Sequence, residues 1–548
     1  MNSRRLVSWL GLAMVAVTIV TACAPATPTP ETVAETVVVR ETVEVTREVE
    51  KISVEVVTAT PSPSECEQYG GTLVVATSSS PKSLDSHVHM LRAVNVIMAS
   101  VYDTLFFLDE RDRTVSPRLA TDYEYEDDTT LLLTLRDGVK FHNGEEFTAD
   151  DVKYTIERIQ DPELGSYMQT WLEPIEQVEV VDPLHVRLHL KRVVPGMIEL
   201  LTRPQIFSRS AEATIDTQPI GTGPFKFAEW KPLDYILLER NPEYWEEGVP
   251  CLDEVEFKII ETAETRLNNL LAGSVDLVLD VDPKDWARLQ DDPQIEWGVP
   301  NYADTMEWSY INNRRPPFDN VYARQALAYA FDSKTYLEQA YYGLAELNRS
   351  IFAPGHWAHN PEIKDAYPHD MDKARELLAK AGYPEGEGME VAIVAPVGYP
   401  TWIMGSEMMQ AALSELGVDA KVEVVDLAEY GDRIVTTYDY DVAWDFPNFA
   451  ASEPTVFFGI PWTHVMNPKN IVGLDLPEYQ ELIDEAGQTM DREERKALYI
   501  EASKLFNEAV PGLTHGNQKR PMMWRPDVEN FYVPYTDLVV FREVWLDR

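Results

Sequence analysis

Cysteine is nearly missing from this chain, with three residues in 548, at positions 23, 66 and 251. So few thiols exclude a small scaffold built on disulfides, and they cannot by themselves supply a zinc cage. The ten histidines do not make up the deficit. His87 with His89, and His356 with His359, are short pairs without companion ligands, so they read as surface or packing histidines ahead of metal ligands. Positive charge is scarce as well: 47 Lys and Arg stand against 92 Asp and Glu, for a formal charge of −45. Such a surface argues against nucleic acid and against direct adhesion to anionic lipid. Otherwise the acidity is ordinary solvation and identifies no ligand. The motifs G-x-S-x-G, H-E-x-x-H and G-x-x-x-x-G-K-[ST] are absent too, which lowers the expectation of an enzyme. Carboxylates are too numerous for any one pair to point to glycosidase chemistry. No repeat of solenoid or propeller length is found, and after residue 22 no apolar run is long enough to span a membrane. Neither a metal nor a cofactor is expected.

The first 22 residues have the anatomy of a secretory signal peptide: Arg4 and Arg5, an apolar run from Leu6 to Val20, then the small Thr21 and Ala22. The following "VTAC" resembles the lipobox of bacterial lipoproteins, which implies cleavage before Cys23 and acylation of that residue. Ordinary cleavage with an incidental Cys23 is the alternative, and "SRRLVS" fits a twin-arginine signal less well. Residues 23–65 then run through "APATPTP", repeated Glu-Thr-Val and Val-Glu units and "TPSPS", and residues 24–64 hold no glycine and no aromatic residue. A segment of this composition buries too little apolar surface to offset its ordering entropy, so it is expected to be a flexible tether. A strand or short coiled coil is the other reading of its Val/Thr stretch. Either way a globular body is held at the cell membrane by an N-terminal lipid, facing the periplasm or the cell exterior.

The remaining residues suffice for two or three lobes with real cores. Cys66 and Cys251 each precede an apparent strand, "GTLVVAT" and "DEVEFKII", and in an oxidising compartment they are expected to lie close enough to bond. "TLLLTLRDGVKFHNGEEFTADDVKYTIERI" reads as a strand, an Asp137-Gly138 turn, a short strand and a helix capped by Thr148, with Val152, Ile156 and Ile159 on one face. Another helix starts at Asp491, with Leu498, Ala502, Leu505 and Phe506 as its stripe, and Pro511 ends it. Residues 388–450 alternate strand and helix: "GMEVAIVAP", "TWIMGSEMMQAALSELG", "AKVEVVD", "LAEYGDRIVTT", "DYDVAWD". That alternation predicts a parallel sheet with right-handed crossovers, and ligands bind outside the carboxyl ends of such strands. Those ends are Pro396 to Trp402, Asp426, and Trp444 to Asn448, with Tyr399 and Trp402 as candidate stacking surfaces. Trp444 and Phe446 filling the core is the competing reading.

Seven stretches stand in one order over nearly the whole mature chain: "GGTLVVATSSSPKSLD", "VYDTLFFLD", "LRDGVKFHNGEEFTADDVKYTIERI", "GTGPFKFAEW", "LERNPEYW", "PPFDNVYARQALAYAFD" and "KARELLAKAGY". In these the chain resembles the extracytoplasmic solute-binding proteins that serve ABC importers of the dipeptide, oligopeptide and nickel type, family 5. The resemblance implies an α/β, bilobed periplasmic-binding-protein fold with a hinge and an extra subdomain on lobe I. Lobe I would take residues 66–112, 219–304 and 523–548, the extra subdomain 113–218, and lobe II 305–522. It implies no catalysis, a monomer, a small-molecule or peptide ligand, and the permease subunits of an importer as partners. Carried over by motif, Thr77, Ser78, Ser79 and Ser80 would line one wall and Ala443, Trp444, Asp445, Phe446 and Asn448 the other.

One departure bears on the ligand. Peptide binders of the family carry an aspartate two or three residues after the tryptophan, just before a Glu-Pro or Asp-Pro pair, where it holds the ligand amine. Here "AWDFPNFAASEPT" places Asp445 directly after Trp444 and Ala450 three residues before Glu453-Pro454, so the loop is lengthened. A peptide leads as the expected solute, with an oligosaccharide, an opine or another solute open. Nickel is disfavoured, because His464 is the only histidine near the segment after the site. An exported surface hydrolase and a permease-free sensor or adhesin are the competing classes.

Overall fold

The computed structural model describes residues 66–88, 92–109, 111–301, 305–445, 454, 470–534 and 539–548. The expected signal peptide, Cys23 and the tether lie outside the described residues, as do His89, Phe446, Asn448, the lengthened loop after Asp445 and His464. Among the described residues no helix is long and apolar enough to cross a membrane.

Among the described residues three large sheets, beside two two-stranded ones, organise the fold. The first has seven strands, in the spatial order Glu296–Gly298, Met522–Trp524, Leu277–Val278, Thr72–Thr77, Glu254–Ile259, Tyr235–Arg240 and Phe225–Lys231. Its central strand is covered on both faces: Leu73 and Val75 enter one core, and Ala76 enters another with Leu267, Leu270 and Met523. Burial on both sides is what permits an unbroken "LVVA" run rather than an alternating one. Thr72 pairs in parallel register with Glu254, so the residues just ahead of the two strands are brought together. Cys66 and Cys251 accordingly form a disulfide, with Cα atoms 5.6 Å apart across 185 positions of sequence. Closing so long a loop stabilises the fold by about 5 kcal/mol in the chain-entropy picture.

The second sheet is four-stranded and antiparallel, in the order Ala120–Asp127, Thr130–Leu135, His185–Leu190 and Ile175–Asp182. The helix Ala149–Gln160 lies on it with Val152, Ile156 and Ile159 buried. Thr148 caps that helix, and the Asp151 side chain reaches back to the Thr148 backbone N–H at 2.9 Å, completing a capping box.

The third sheet has six strands: Ala345–Leu347, Gly512–Gln518, Thr305–Ile311, Val442–Asp445, Glu390–Pro396 and Asp419–Val425. The last three are mutually parallel, as the strand and helix alternation of residues 388–445 predicts. The first three are antiparallel to their neighbours, so the sheet is mixed rather than parallel throughout. Antiparallel pairing of Thr305–Ile311 with Gly512–Gln518 joins segments some two hundred residues apart, which no local period announces. The helix Arg492–Ala509 is capped by Asp491, whose carboxylate accepts from the Glu493 and Glu494 amides. Its buried face is Arg495, Tyr499, Ala502, Ser503 and Phe506, while Leu498 and Leu505 are only half-buried. The apolar stripe is thus rotated from the expected one, because tyrosine and the aliphatic stem of arginine pack as well as leucine does.

The chain passes from the seven-stranded sheet to the six-stranded one between Gly298 and Thr305, and returns between Gln518 and Met522. Gly298 pairs with Met522 on one side and Thr305 with Gln518 on the other, so both crossings run side by side. Two adjacent crossings between two bodies make a hinge.

Candidate functional site between the strand ends

The strands Thr72–Thr77, Glu254–Ile259 and Leu277–Val278 are parallel and end on one edge of their sheet. The strands Glu390–Pro396, Asp419–Val425 and Val442–Asp445 end together on one edge of theirs. In the six-stranded sheet that edge also holds Thr305 and Gln518, where the crossings begin and finish. Both carboxyl-end edges therefore flank the hinge, and the space outside them is the candidate site.

On the seven-stranded edge the groups are small and polar. Thr77 is 5% exposed and closes the strand. Ser78 donates its hydroxyl to Asp280 Oδ2 at 2.8 Å, tying the first strand's exit to the exit of Leu277–Val278. Ser79 is exposed, and Ser80 Oγ accepts from the Leu233 amide at 3.3 Å. Beneath them the buried Arg266 donates to the carbonyls of Ile260 and Glu261 at 2.8 Å and of Asp280 at 3.1 Å. One guanidinium thus pins two loop exits, leaving the hydroxyls on a rigid base.

The six-stranded edge is aromatic. Tyr399 stacks on Trp402 with ring centres 4.5 Å apart, and Trp402 in turn lies 6.3 Å from Tyr430. Trp402 is 4% exposed, whereas Tyr399 is half-buried at the edge. Asp445 ends the strand Val442–Asp445 and accepts a hydrogen bond from the buried Tyr310 hydroxyl at 2.5 Å. Tyr430 donates its hydroxyl to the Trp444 carbonyl, bracing the same turn. Burial, with the Asp445 charge beside them, holds both phenols far above their ordinary range, so they stay neutral donors.

Trp444 and Ala443 have no exposed surface. The Trp444 indole lies stacked on His515 at 4.7 Å and packs edge-on against Phe331, so the structure places it in the core, beneath the edge rather than on it. A Cβ on Gly405 would sit 2.4 Å from the Trp444 ring, so only glycine lets the helix Pro400–Glu415 lie this close to the strand. The reason for the inward orientation is register: Trp444 stands opposite Ser309, on the face that carries His515.

Sequence reasoning missed two groups. Glu307 is fully buried at the hinge end of Thr305–Ile311, accepting from Gln518 Nε2 at 2.8 Å and the Tyr336 hydroxyl at 3.1 Å. Burial pushes its carboxyl up to about 7, against the pull of the Tyr341 and Tyr336 hydroxyls. His515 is the other: its Nε2 meets Ser309 Oγ at 2.7 Å and its Nδ1 meets Ser333 Oγ at 2.9 Å. That arrangement is no hydrolytic triad, because all three side chains are buried, burial holds the imidazole well below its usual range, and both ring nitrogens bond serine rather than a carboxylate. No short-range pattern marks either residue. His356 stacks on Phe352 at 4.9 Å and is a packing residue, and among the described residues no cluster of three His, Cys, Asp or Glu is placed to hold a metal.

Known proteins are similar to this chain in sequence and in fold. Heme-binding protein A of Haemophilus influenzae is 30% identical over 453 residues, covering 76% of this chain and 81% of that protein. Di/tripeptide-binding protein 1 of Pseudomonas aeruginosa is 29% identical over 485 residues, covering 81% and 88%. Among solved structures, the ABC transporter-associated periplasmic binding protein DppA of Helicobacter pylori, in complex with the peptide STSA, superposes with a TM-score of 0.76 at 25% identity, over 88% of this chain and 99% of that one. HbpA2 of Haemophilus parasuis superposes with a TM-score of 0.78 at 25% identity, over 87% and 100%. The family description "Bacterial extracellular solute-binding proteins, family 5 Middle" matches residues 114–465. Two bodies on a paired hinge, strand-end edges that flank it and a match over more than half the chain lead to one conclusion: this chain belongs to the family 5 bacterial extracellular solute-binding proteins, extracytoplasmic, non-enzymatic binding components of ABC importers.

Proposed function

We propose that the solute is a peptide with a free amine, captured between the two edges and handed to the permease as the lobes close on it. The observation that carries this reading is Asp445: a carboxylate at the exit of a central strand, oriented by the Tyr310 hydroxyl and flanked by Tyr430. An ammonium group is the natural partner of a carboxylate held this way. Relatives whose names or structures carry a di- or tripeptide or the peptide STSA support the class. Thr77 to Ser80 form the opposite wall, Ala443 and Trp444 hold Asp445 in place from below, and Phe446 and Asn448, next in the sequence, are assigned to solute binding. In this reading lobe I comprises residues 66–112, 219–304 and 523–548, the added subdomain 113–218, and lobe II 305–522. Cys23 carries the lipid, residues 23–65 are the tether, and the protein works as a monomer.

A second reading has its own observation. The stacked Tyr399 and Trp402 offer an aromatic face at the same edge, which suits the apolar face of a sugar ring. Native mass spectrometry of the protein purified without refolding, with identification of whatever dissociates, separates the two. A ladder of small peptides is expected, and adding one back at a hundred times its dissociation constant should stabilise the fold by about 2.7 kcal/mol. A sugar or an opine would overturn the peptide reading. For the anchor, Cys23→Ser is expected to leave an unacylated precursor; normal processing with unchanged membrane retention would overturn it.

A further inference from the structure

We infer that Trp286 is an interlobe clasp, a residue that sets the affinity for every solute by one common factor through lobe closure. It stands on the helix Pro283–Leu289, which follows the exit of the strand Leu277–Val278. Partly buried, it packs against the core that holds Ala76, Val278 and Met523, and so belongs to the seven-stranded body. The same ring also packs against the core of the six-stranded body, where its helix adjoins the helix Ser333–Tyr341. Val299 likewise touches that second core, but it lies where the chain leaves one sheet for the other and travels with the crossing. Trp286 stands on a helix of the first body and not on the crossing itself, so its contact joins the two bodies through side chains and depends on how they come together.

Two further features suit a reversible joint. Trp286 is held to its own body from the side: Trp297 meets it edge-on at 5.2 Å, and Trp297 Nε1 donates to the Gln290 carbonyl at 3.0 Å, at the end of the same helix. Its own indole Nε1 is buried without an acceptor. The contact is therefore apolar and non-directional, and on opening the N–H gains a water partner, which offsets part of the lost burial. A contact of this kind biases closure without locking it.

The consequence for binding is quantitative. When only the closed form holds solute tightly, the apparent dissociation constant is the intrinsic one divided by the closed fraction. Loss of the clasp lowers that fraction and weakens all solutes equally, whereas a residue touching the solute changes their ranking. The inference rests on the solute-binding reading but not on the solute being a peptide.

The test compares wild type with Trp286→Ala and with Trp286→Phe, which keeps a ring there. Small-angle scattering without added solute reads the lobe arrangement, and titration with a dipeptide, a tripeptide and maltotriose reads affinity. Trp286→Ala is expected to raise the radius of gyration and to weaken each probe that wild type binds by the same factor, about tenfold, with Trp286→Phe in between. An unchanged radius, or factors that differ between probes, would overturn the clasp. If Trp286→Ala fails to fold, Trp286→Phe decides by the same two readouts. Wild type binding no peptide would count against the peptide reading alone, since the scattering still decides the clasp.

Discussion

The two edges that face each other across the hinge are built from different chemistry. The seven-stranded edge offers hydroxyls on loops pinned by a buried guanidinium, with Ser78 already committed to Asp280. The six-stranded edge offers rings and a charge: Tyr399 on Trp402, then Tyr430, then Asp445 held by Tyr310. Short hydroxyls adapt to any extended backbone, while a fixed carboxylate among aromatic rings discriminates. In the proposed reading the difference gives general grip to the first edge and selectivity to the second.

Mutations can break or sharpen that division. The largest effect is expected from Trp444→Ala, which empties the support under the selective edge and should lower stability by about 3 to 5 kcal/mol in chemical unfolding. Reduced affinity with unchanged stability would instead move Trp444 to the solute surface. Next is Asp445→Asn, which keeps the shape and removes the charge: affinity for a co-purified peptide should fall by about ten- to a hundredfold, the usual worth of a hydrogen bond to a charged group, measured by calorimetry. Equal affinity would remove selectivity from this edge.

Glu307 gives a smaller and pH-dependent effect. Its carboxyl is raised by burial from its ordinary 4.5 to about 7, so the folded protein binds this proton more tightly than the unfolded chain does. By linkage its contribution is most favourable below about 4.5 and is lost as pH rises through about 7. Melting temperatures of wild type minus those of Glu307→Gln should therefore decline between those two pH values; a flat difference would show that the carboxyl titrates normally. Smallest is Ser78→Ala on the general edge, expected to weaken every peptide by about two- to threefold, without changing their order, because its hydroxyl is already given to Asp280 and what it adds to a solute lies at the lower end of the usual worth of a hydrogen bond, about 0.5 kcal/mol. A change of order would give the first edge a share in selectivity.

Local signals were legible where residues act on their neighbours. The strand and helix alternation over 388–445 is observed with shifts of one to three residues at most boundaries, and Thr148 caps its helix. The pairing of Cys66 with Cys251 followed from two strands that lie side by side in register. Orientation was harder to read. Trp444 sits in a segment whose burial is complete from Val442 to Trp444, so no alternation marks which face meets solvent. In Thr305–Ile311 all seven positions are buried, which hides Glu307 among residues that would otherwise read as plain core.

What the sequence determined by itself is the elements of residues 388–445, the two capped helices, the strand exits and the family resemblance, because hydrophobic period, capping residues and turn glycines act over a few positions. Only the tertiary structure decided that Asp445 lies against Tyr310 and Trp444 beneath it, that Glu307 meets Gln518, and that Trp286 packs against two cores. Each of those facts depends on strand register or on the closing of two bodies. Both are set by contacts between segments far apart in the chain, and no local pattern encodes them.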